Sequence, residues 1–511
     1  FTSFGYPTYI IYPYAVLKLL GLVVLWLPGY KSLKEWAYSG FFFAFIDDHF
    51  DYHTAGDNFE RMDRNSLEHQ GSYLMPLLHY FADADLEQVK SEEDYVYTNF
   101  PLLKMIAYPF SWVMPSTCVA MLLFIGILFF GFRSGKLKWR SILKGSVPFL
   151  SAVLGALFVG LYGWSSLLKL YPHYQEILHG FTYNGHAYIA FFVSLSLAIA
   201  WFMYARFQKE ITAANLFVTP LLIWLLINIF LAIYLKGAAY FILPFYCALC
   251  SFWLLLKQEK TNPILHWVLA IPAVVLFSPL IQTFPVGLGL KTIVISTVFT
   301  VLLFGLLLSF LSGYTYKKHL AQGFLVLALV FFGLAHHTSD FNEDRKKPNS
   351  LMYFQDLEAQ KAYWLTYDTI LDDWTSSYLG TEPKTAATVV TSAAKSKYNS
   401  GYTFAADATF TSLTFNGQAV EKNLSYTESN NRLLTFYVYE MDTLEVSYTI
   451  TQDLHPTFTL LEYSFDLMDN PWVEMKTRTN RMMPKPFVFN DALVIKQKIT
   501  PHFKFDSMNR R

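Results

Sequence analysis

The chain has 511 residues, 53% of them hydrophobic and only 15% charged, whereas soluble domains average about 25% charged residues. This composition excludes an ordinary water-soluble globule and an intrinsically disordered chain, and the balance of Lys and Arg against Asp and Glu, 39 each, gives no indication of a nucleic-acid partner. We therefore expect much of the chain to lie in a lipid bilayer.

Residues 1–39 form an anomalous apolar segment. The run from Tyr9 to Gly29 has the length of a membrane span, although Lys18 lies near its middle. If this run crossed the membrane, Lys31 and Lys34 would favour the cytoplasm, and every later loop would then be inverted. We therefore predict that residues 1–39 are not a native span and derive from a truncated or frameshifted gene.

Residues 40–104 are polar and acidic, with 13 Asp and Glu against 4 Lys and Arg. The apolar run 41–46 predicts a buried strand. Asp63 is a good helix N-cap, and an apolar stripe after it predicts a helix over 65–86. The stripe consists of Leu67, Leu74, Leu77, Leu78 and Phe81.

The loop between this strand and this helix is dense in histidine and carboxylate residues. Its side chains are Asp47, Asp48, His49, Asp51, His53 and Asp57. Neutral imidazoles and carboxylates are the ligands of a catalytic zinc, and α/β enzymes place their sites at the carboxyl ends of strands. The residue types therefore fit a zinc site, although acidic loops with histidine are more often simply solvated.

The segment Tyr52-His53-Thr54-x-x-Asp57 resembles the last zinc-ligand motif of the family-28 zinc metallopeptidases, the di-zinc aminopeptidase type. The predicted helix after it is similar to the final helix of that peptidase domain. The arrangement over 40–511 also resembles the multi-spanning members of the family, such as the endoplasmic-reticulum metallopeptidase and the vacuolar membrane protease. Those members carry a peptidase domain, eight further spans and a non-cytoplasmic C-terminal domain.

This resemblance implies that His53 is the terminal ligand of one zinc, and that Tyr52, Thr54 and Asp57 support the motif. The complete enzyme would hold two zinc ions and hydrolyse peptides. The family's earlier His-x-Asp, Glu-Glu and further carboxylate ligand motifs are not found upstream. Sixty-five residues hold only about two βαβ units, so we expect an incomplete α/β peptidase remnant in this chain. By itself it would hold at most a partial zinc site and be inactive.

Eight apolar runs after residue 104 have the length of membrane helices and no charged residue at their centres. They predict an α-helical polytopic membrane domain over 105–336. The predicted spans are 105–132, 146–168, 187–205, 213–235, 238–256, 263–282, 292–312 and 320–336. Within the fifth, Cys247 and Cys250 are interpreted as apolar core residues.

Basic residues predict the orientation of these spans. The loops after the first, third, fifth and seventh spans together hold eleven of them and are expected in the cytoplasm. An even number of spans then places 40–104 and 337–511 together on the non-cytoplasmic side. The loop 171–187 carries His173, Glu176, His179 and His186, which are compatible with a second metal site, but an interfacial loop is the simpler interpretation.

Residues 337–511 are predicted to form an all-β, sandwich-like domain of antiparallel strands. Period-two alternation predicts strands at 434–440, 444–451 and 457–463, with a similar run at 486–489. Asn416-Gly417 and the segment 399–401 are typical of turns, and a short helix is expected around 356–363.

Two classes of function follow from these observations. The first is a membrane-anchored zinc metallopeptidase that hydrolyses peptides, as an aminopeptidase does, on the non-cytoplasmic side. The alternative is a non-enzymatic polytopic scaffold or transporter. Transporters place ionisable groups within the membrane, and the span interiors here offer only Asn215, Asn228 and His266.

Overall fold

The chain folds, in a computed structural model, as two compact units. The first comprises 1–50, 59–172 and 179–340, and the second comprises 51–58, 173–178 and 341–511. The predicted strand 41–46 and the segment 1–39 lie outside the described residues. The structure describes residues 47, 49–86, 93–101, 103–207, 211–258, 262–384, 401–406, 410–415, 417–419, 434–437, 445–450, 458–471 and 473–499.

The described part of the first unit includes a capped helix and a hairpin near its start in sequence. Helix α1 (Arg64–Asp83) begins at Asp63, whose carboxylate accepts hydrogen bonds from the backbone N–H groups of Asn65 and Ser66, so the predicted helix and its cap are confirmed. None of its residues is buried. Strands β1 (Tyr95–Phe100) and β2 (Lys104–Pro109) pair antiparallel. The first span was predicted from residue 105, which is wrong because 105–109 pair with 95–99.

Nine helices follow in the described part of the first unit. They are α2 (Val113–Arg133), α3 (Trp139–Leu170), α4 (Gly185–Phe207), α5 (Ala213–Tyr234), α6 (Ile242–Lys257), α7 (Pro263–Leu288), α8 (Ile293–Leu306), α9 (Leu308–Leu311) and α10 (Lys317–His337). All but α8 and α9 belong to helical segments long and apolar enough to cross a membrane. For α6 this segment includes the 3-10 turns Lys236–Phe241. Seven such segments fit an integral, multi-pass membrane protein.

The seventh predicted span, 292–312, is an interrupted helix. The apolar helical stretch Leu290–Leu306 is shorter than the others, and α9 follows after Leu307. The N–H of Leu307 is shared between the carbonyl oxygens of Leu303 (3.2 Å) and Phe304 (3.1 Å). Such sharing is common where an α-helix ends. Every residue of α8 from Thr300 to Leu306 is buried.

Small residues let α3 and α8 approach closely. A Cβ added at Gly160 would lie 2.4 Å from the Val294 Cα and 2.4 Å from the Thr297 Oγ1. One turn away, the Thr297 hydroxyl donates a hydrogen bond to the Ala156 carbonyl oxygen at 2.9 Å. Close backbone approach and hydrogen bonds from hydroxyl groups are typical of helix association in membranes, where lipid removes the hydrophobic driving force.

Replacing Gly160 with Ala is therefore expected to separate α3 from α8 and destabilise the first unit by about 1–3 kcal/mol. The matched control is Gly126→Ala in α2, where an added Cβ meets no atom within 4 Å. Thermal unfolding of the detergent-solubilised protein checks the pair. Equal melting temperatures for the two variants would contradict the close approach.

The second unit contains the sheets of the C-terminal region. Its elements are β3 (Lys347–Asn349), β4 (Met352–Asp356), β5 (Lys361–Leu365), α11 (Asp373–Leu379), β6 (Gly401–Ala406), β7 (Phe410–Phe415), β8 (Gln418–Ala419), β9 (Leu434–Tyr437), β10 (Val446–Ile450), β11 (Phe458–Ser464), β12 (Met482–Pro484) and β13 (Ala492–Ile499). Among the described strands one sheet has the order β5-β4-β13-β11-β6-β9 and another the order β10-β7-β8, while β12 pairs with β3. Residues of β4, β11 and β13 supply an apolar core that includes Phe354, Tyr463 and Val494.

Three predictions for this region are wrong. The helix expected around 356–363 is instead the turn between β4 and β5, where Gln360 has a φ of +48°. Residues 486–489 form no strand and instead lie in the connection from β12 to β13. The strands are not all antiparallel, because β4 runs parallel to β13 and β3 runs parallel to β12. The sandwich itself stays a prediction.

Helix α11 begins in a buried polar cluster. The Asp372 carboxylate accepts hydrogen bonds from the Thr375 N–H (2.8 Å) and the Asn349 amide (2.9 Å), and it pairs with the Lys347 ammonium at 3.2 Å. Burial raises the pKa of Asp372, but these hydrogen bonds and the lysine charge outweigh it, so its pKa lies below the ordinary value.

A carboxylate with a lowered pKa stabilises the folded state above its unfolded pKa, and this stabilisation is lost as the pH falls through the folded value. The stability of the second unit is therefore expected to fall as the pH drops below about 4. Asp372→Asn preserves the N-cap acceptor and should lower stability at pH 7 while making its loss at acidic pH shallower. Hydrogen exchange of α11 against pH checks this, with the exposed neighbour Asp373→Asn as control.

Candidate functional site

The predicted motif forms a compact loop over 51–58 in the second unit. The Thr54 hydroxyl donates to the Asp51 carbonyl oxygen at 2.6 Å and accepts from the Gly56 N–H at 3.0 Å. The backbone N–H of Asp57 donates to the Thr54 carbonyl oxygen at 3.1 Å. Thr54 therefore shapes the turn, and Asp57, whose side chain is exposed, takes part in it through its backbone.

The turn leaves little space for a side chain at position 56. A Cβ added at Gly56 would lie 2.5 Å from the Asp51 Oδ1 and 3.2 Å from the Thr54 Oγ1. The carboxylate of Asp51 therefore occupies the space beside Gly56 and closes the loop. The Asp51 side chain thus packs within the loop and does not point away from it.

His53 lies at the tip of the loop with its side chain exposed and its backbone in the left-handed region, at a φ of +60°. Its ring lies 4.0 Å from the Tyr52 ring and 5.3 Å from the Phe487 ring, both measured between centroids. Three of the four motif residues, Tyr52, His53 and Asp57, are thus exposed, and Thr54 is half-buried. The loop presents an imidazole flanked by two aromatic rings.

The acidic and histidine neighbours upstream belong to the first unit. The Asp47 carboxylate lies 3.0 Å from the His186 Nε2. The His49 ring contacts the ring of His179 edge-on, with centroids 5.7 Å apart. Asp48 lies outside the described residues. Within this unit, then, the upstream residues contact histidines from the loop 171–187.

The other two candidate ligands from 171–187 belong to the second unit. His173 packs edge-on against Phe341, with centroids 5.3 Å apart. The Glu176 carboxylate forms an ion pair with the Lys485 ammonium. Within the described parts of the chain, no group of three or more His, Cys, Asp or Glu side chains could hold a metal ion. The structure therefore gives no support to a second metal site in this loop.

A buried ion cluster in the second unit was not predicted. The Lys485 ammonium pairs with the carboxylates of Glu176 and Asp368, at 2.7 Å from the Asp368 Oδ1. All three side chains are at most 1% exposed. The Glu176 Oε1 also accepts hydrogen bonds from the Thr369 N–H (2.9 Å), the Thr369 hydroxyl (2.6 Å) and the Ile370 N–H (2.7 Å).

The two carboxylates of this cluster respond differently to their surroundings. Burial raises the pKa of Asp368, and the lysine opposite compensates only in part. Burial also acts to raise the pKa of Glu176, but hydrogen bonds from Lys485 and Thr369 outweigh it, so that pKa is lowered. Because the charges are fully enclosed, the cluster is structural in character, not a site open to substrate.

Comparisons with known proteins add no family: no protein-family model, no curated protein and no solved structure matches the chain. The loop 51–58 is therefore interpreted on its own geometry. It presents one exposed imidazole, a type of side chain that supplies one metal ligand. The described residues do not supply the three protein ligands that a catalytic zinc needs.

Proposed function

We propose that this chain is the C-terminal part of a membrane-anchored zinc metallopeptidase of the family-28, aminopeptidase-like type. The observation that carries the proposal is the exposed His53 imidazole at the tip of the Tyr-His-Thr-x-x-Asp loop. Its backbone is held in a sparsely populated conformation, and residues held in this way cluster at functional sites. The substrate would be a peptide, and the products amino acids or short peptides.

In this proposal His53 contributes one ligand to a zinc site of the complete enzyme, which would hold two zinc ions. Asp57 and Thr54 fix the loop, and Tyr52 flanks the imidazole. Because the described residues do not form a complete set of ligands, no catalytic step is assigned to them. The remaining ligands and the general base would belong to the rest of the peptidase domain.

The membrane arrangement that we infer has eight spans, counting the interrupted segment 290–311 as one. At 1.5 Å per residue, its 22 residues are about 33 Å long as a helix, which is enough for the hydrocarbon core of about 30 Å. With eight spans, the basic residues of the alternate loops favour the non-cytoplasmic side for both 40–104 and 337–511. Peptide hydrolysis is accordingly proposed on that side.

The test uses the complete gene product, purified in detergent, with its bound zinc and its aminopeptidase activity measured together. His53→Ala is expected to lower activity by about 100-fold or more and to reduce the zinc content, because even the partners of metal ligands are worth 10–100-fold. The matched control is His79→Ala on α1, another exposed histidine, which should leave both quantities unchanged. Full activity in the His53→Ala protein would refute the ligand assignment.

The alternative is a non-enzymatic polytopic scaffold or transporter. Three buried polar groups of the helices favour the scaffold, because each donates its hydrogen bond to a helix carbonyl oxygen. The Trp224 indole donates to Leu302 O (3.0 Å), the Ser296 hydroxyl to Ile281 O (2.6 Å) and the Asn228 amide to Trp224 O (2.8 Å). Accumulation of a solute in proteoliposomes containing this chain alone would instead favour transport.

A further inference from the structure

Two residues with unusual backbone geometry face each other in the second unit. His53 has a φ of +60° and Phe487 a φ of +69°. Histidine tolerates this region better than most residues, but for a bulky aromatic residue a positive φ is an outlier. Such conformations persist only where the surrounding structure imposes them. Their occurrence on both sides of one ring contact indicates that the contact is held by the fold.

The contact itself is directional. The rings of His53 and Phe487 lie at 80° to each other, with centroids 5.3 Å apart, which is the edge-to-face arrangement that aromatic pairs prefer. Tyr52 closes the group, with its centroid 6.1 Å from that of Phe487 and 4.0 Å from that of His53. Rotation of the imidazole about its side-chain bonds would break the contact with Phe487.

The segment that carries Phe487 is anchored at both of its ends. Before it, Lys485 lies in the buried ion cluster with Glu176 and Asp368, and its N–H donates to Asn349 O at 2.8 Å. After it, the Asp491 carboxylate accepts a hydrogen bond from the Arg478 Nη1 at 2.7 Å. Phe487 therefore extends from a short segment that is held by charged groups on either side.

We propose that Phe487 is a positioning residue for the His53 imidazole, so that the segment 485–491 of the C-terminal region completes the His53 site. The inference rests on the proposed function for the use of that imidazole, but the orientation itself is a property of this chain. In the peptidase it would fix the ligand nitrogen in one direction. The β strands would then have a role in the site, beyond that of an appended domain.

The experiment measures the reactivity of His53 in the full chain, solubilised in detergent without added metal. Diethyl pyrocarbonate modifies histidine nitrogens, and mass spectrometry gives the rate at His53 relative to that at His79 in the same sample. Phe487→Leu keeps an apolar side chain but removes the ring. We expect this variant to raise the His53-to-His79 ratio by about two- to tenfold, the equivalent of one aromatic pair.

Two further variants separate positioning from a general loss of structure. Phe487→Tyr retains the ring edge and should restore the wild-type ratio. Phe354→Leu changes a residue of β4 that is 1% exposed in the apolar core and lies outside this segment; it should lower the melting temperature and leave the ratio unchanged. An unchanged ratio in Phe487→Leu, or no restoration by Tyr, overturns the proposal.

The outcome is independent of the peptidase test. A changed ratio together with full activity of the His53→Ala gene product would retain the positioning role and refute the proposed function. An unchanged ratio together with loss of activity in His53→Ala would refute the positioning role and retain the proposed function.

Discussion

Replacing Lys485 with Met is expected to destabilise the second unit by about 3–5 kcal/mol, because it leaves two buried carboxylates without their cation. The ammonium pairs with Glu176 and Asp368, and no side chain of the three is more than 1% exposed. Methionine preserves much of the apolar part of the lysine side chain. The loss of stability is therefore due mainly to the missing charge and less to altered packing. Hydrogen exchange of the β4 and β13 amides measures the change, since these strands flank the core of the sheet.

A surface pair provides the control for this prediction. The Lys498 ammonium lies 3.3 Å from the Glu358 carboxylate, with side chains 50% and 41% exposed, so Lys498→Met should cost no more than about 1 kcal/mol. Adding Glu176→Gln and Asp368→Asn to Lys485→Met should recover part of the loss, because no uncompensated charge remains buried. If Lys485→Met and Lys498→Met had equal effects, the cluster would not be a buried ionic contact in solution.

The sequence predicted the membrane helices well because their signal is local. A run of about 20 apolar residues has few alternatives to a helix in lipid, and the predicted bounds lie near those of α4 to α6 and α10. Helix α3 begins earlier than predicted, at Trp139, and α7 ends later, at Leu288. The wrong start of the first span has a non-local cause. Residues 105–109 are apolar enough to extend a span, but they pair with 95–99 as β2.

In the second unit local patterns were less reliable. The alternating residues of β9, β10 and β11 gave strands in the right places. The turn after Asp356 was mistaken for a helix, because its reversal depends on Gln360 in the left-handed region, and glutamine carries no signal for that conformation. The segment 486–489 alternates as a strand does, but it forms a turn in which Phe487 has a φ of +69°.

In the candidate site, too, local contacts could be predicted from the sequence and long-range contacts could not. The loop 51–58 could be predicted because Thr54, Gly56 and Asp57 form its turn among themselves. The ring of Phe487 could not, because it reaches His53 from the far end of the chain. The buried cluster is similar: Glu176 and Lys485 are 309 positions apart, and each appears in sequence as an isolated charge. Such contacts depend on the tertiary structure, so the spacing of residues in the sequence does not predict them.

A group of aromatic rings joins four segments of the first unit around Phe277. Its ring stacks on Trp224 with centroids 4.6 Å apart, and it meets Phe241 at 4.8 Å and Phe299 at 5.4 Å in edge-on contacts. Phe277 is fully buried. Because lipid is as apolar as the interior, burial from water gives these helices little stability, and packing must provide it.

Phe277→Ala is therefore expected to lower the stability of the first unit by about 3 kcal/mol, the low end of the cost of such truncations in soluble cores. The loss comes from the cavity and the missing ring contacts, since transfer of the ring from water contributes little. Phe158→Ala is the control, because that ring is 65% exposed on α3 and lipid replaces its contacts. Unfolding in mixed micelles of increasing sodium dodecyl sulfate content gives both values. Equal losses would mean that lipid solvates these rings as well as the protein does, and that the bundle depends on close backbone contacts such as that at Gly160.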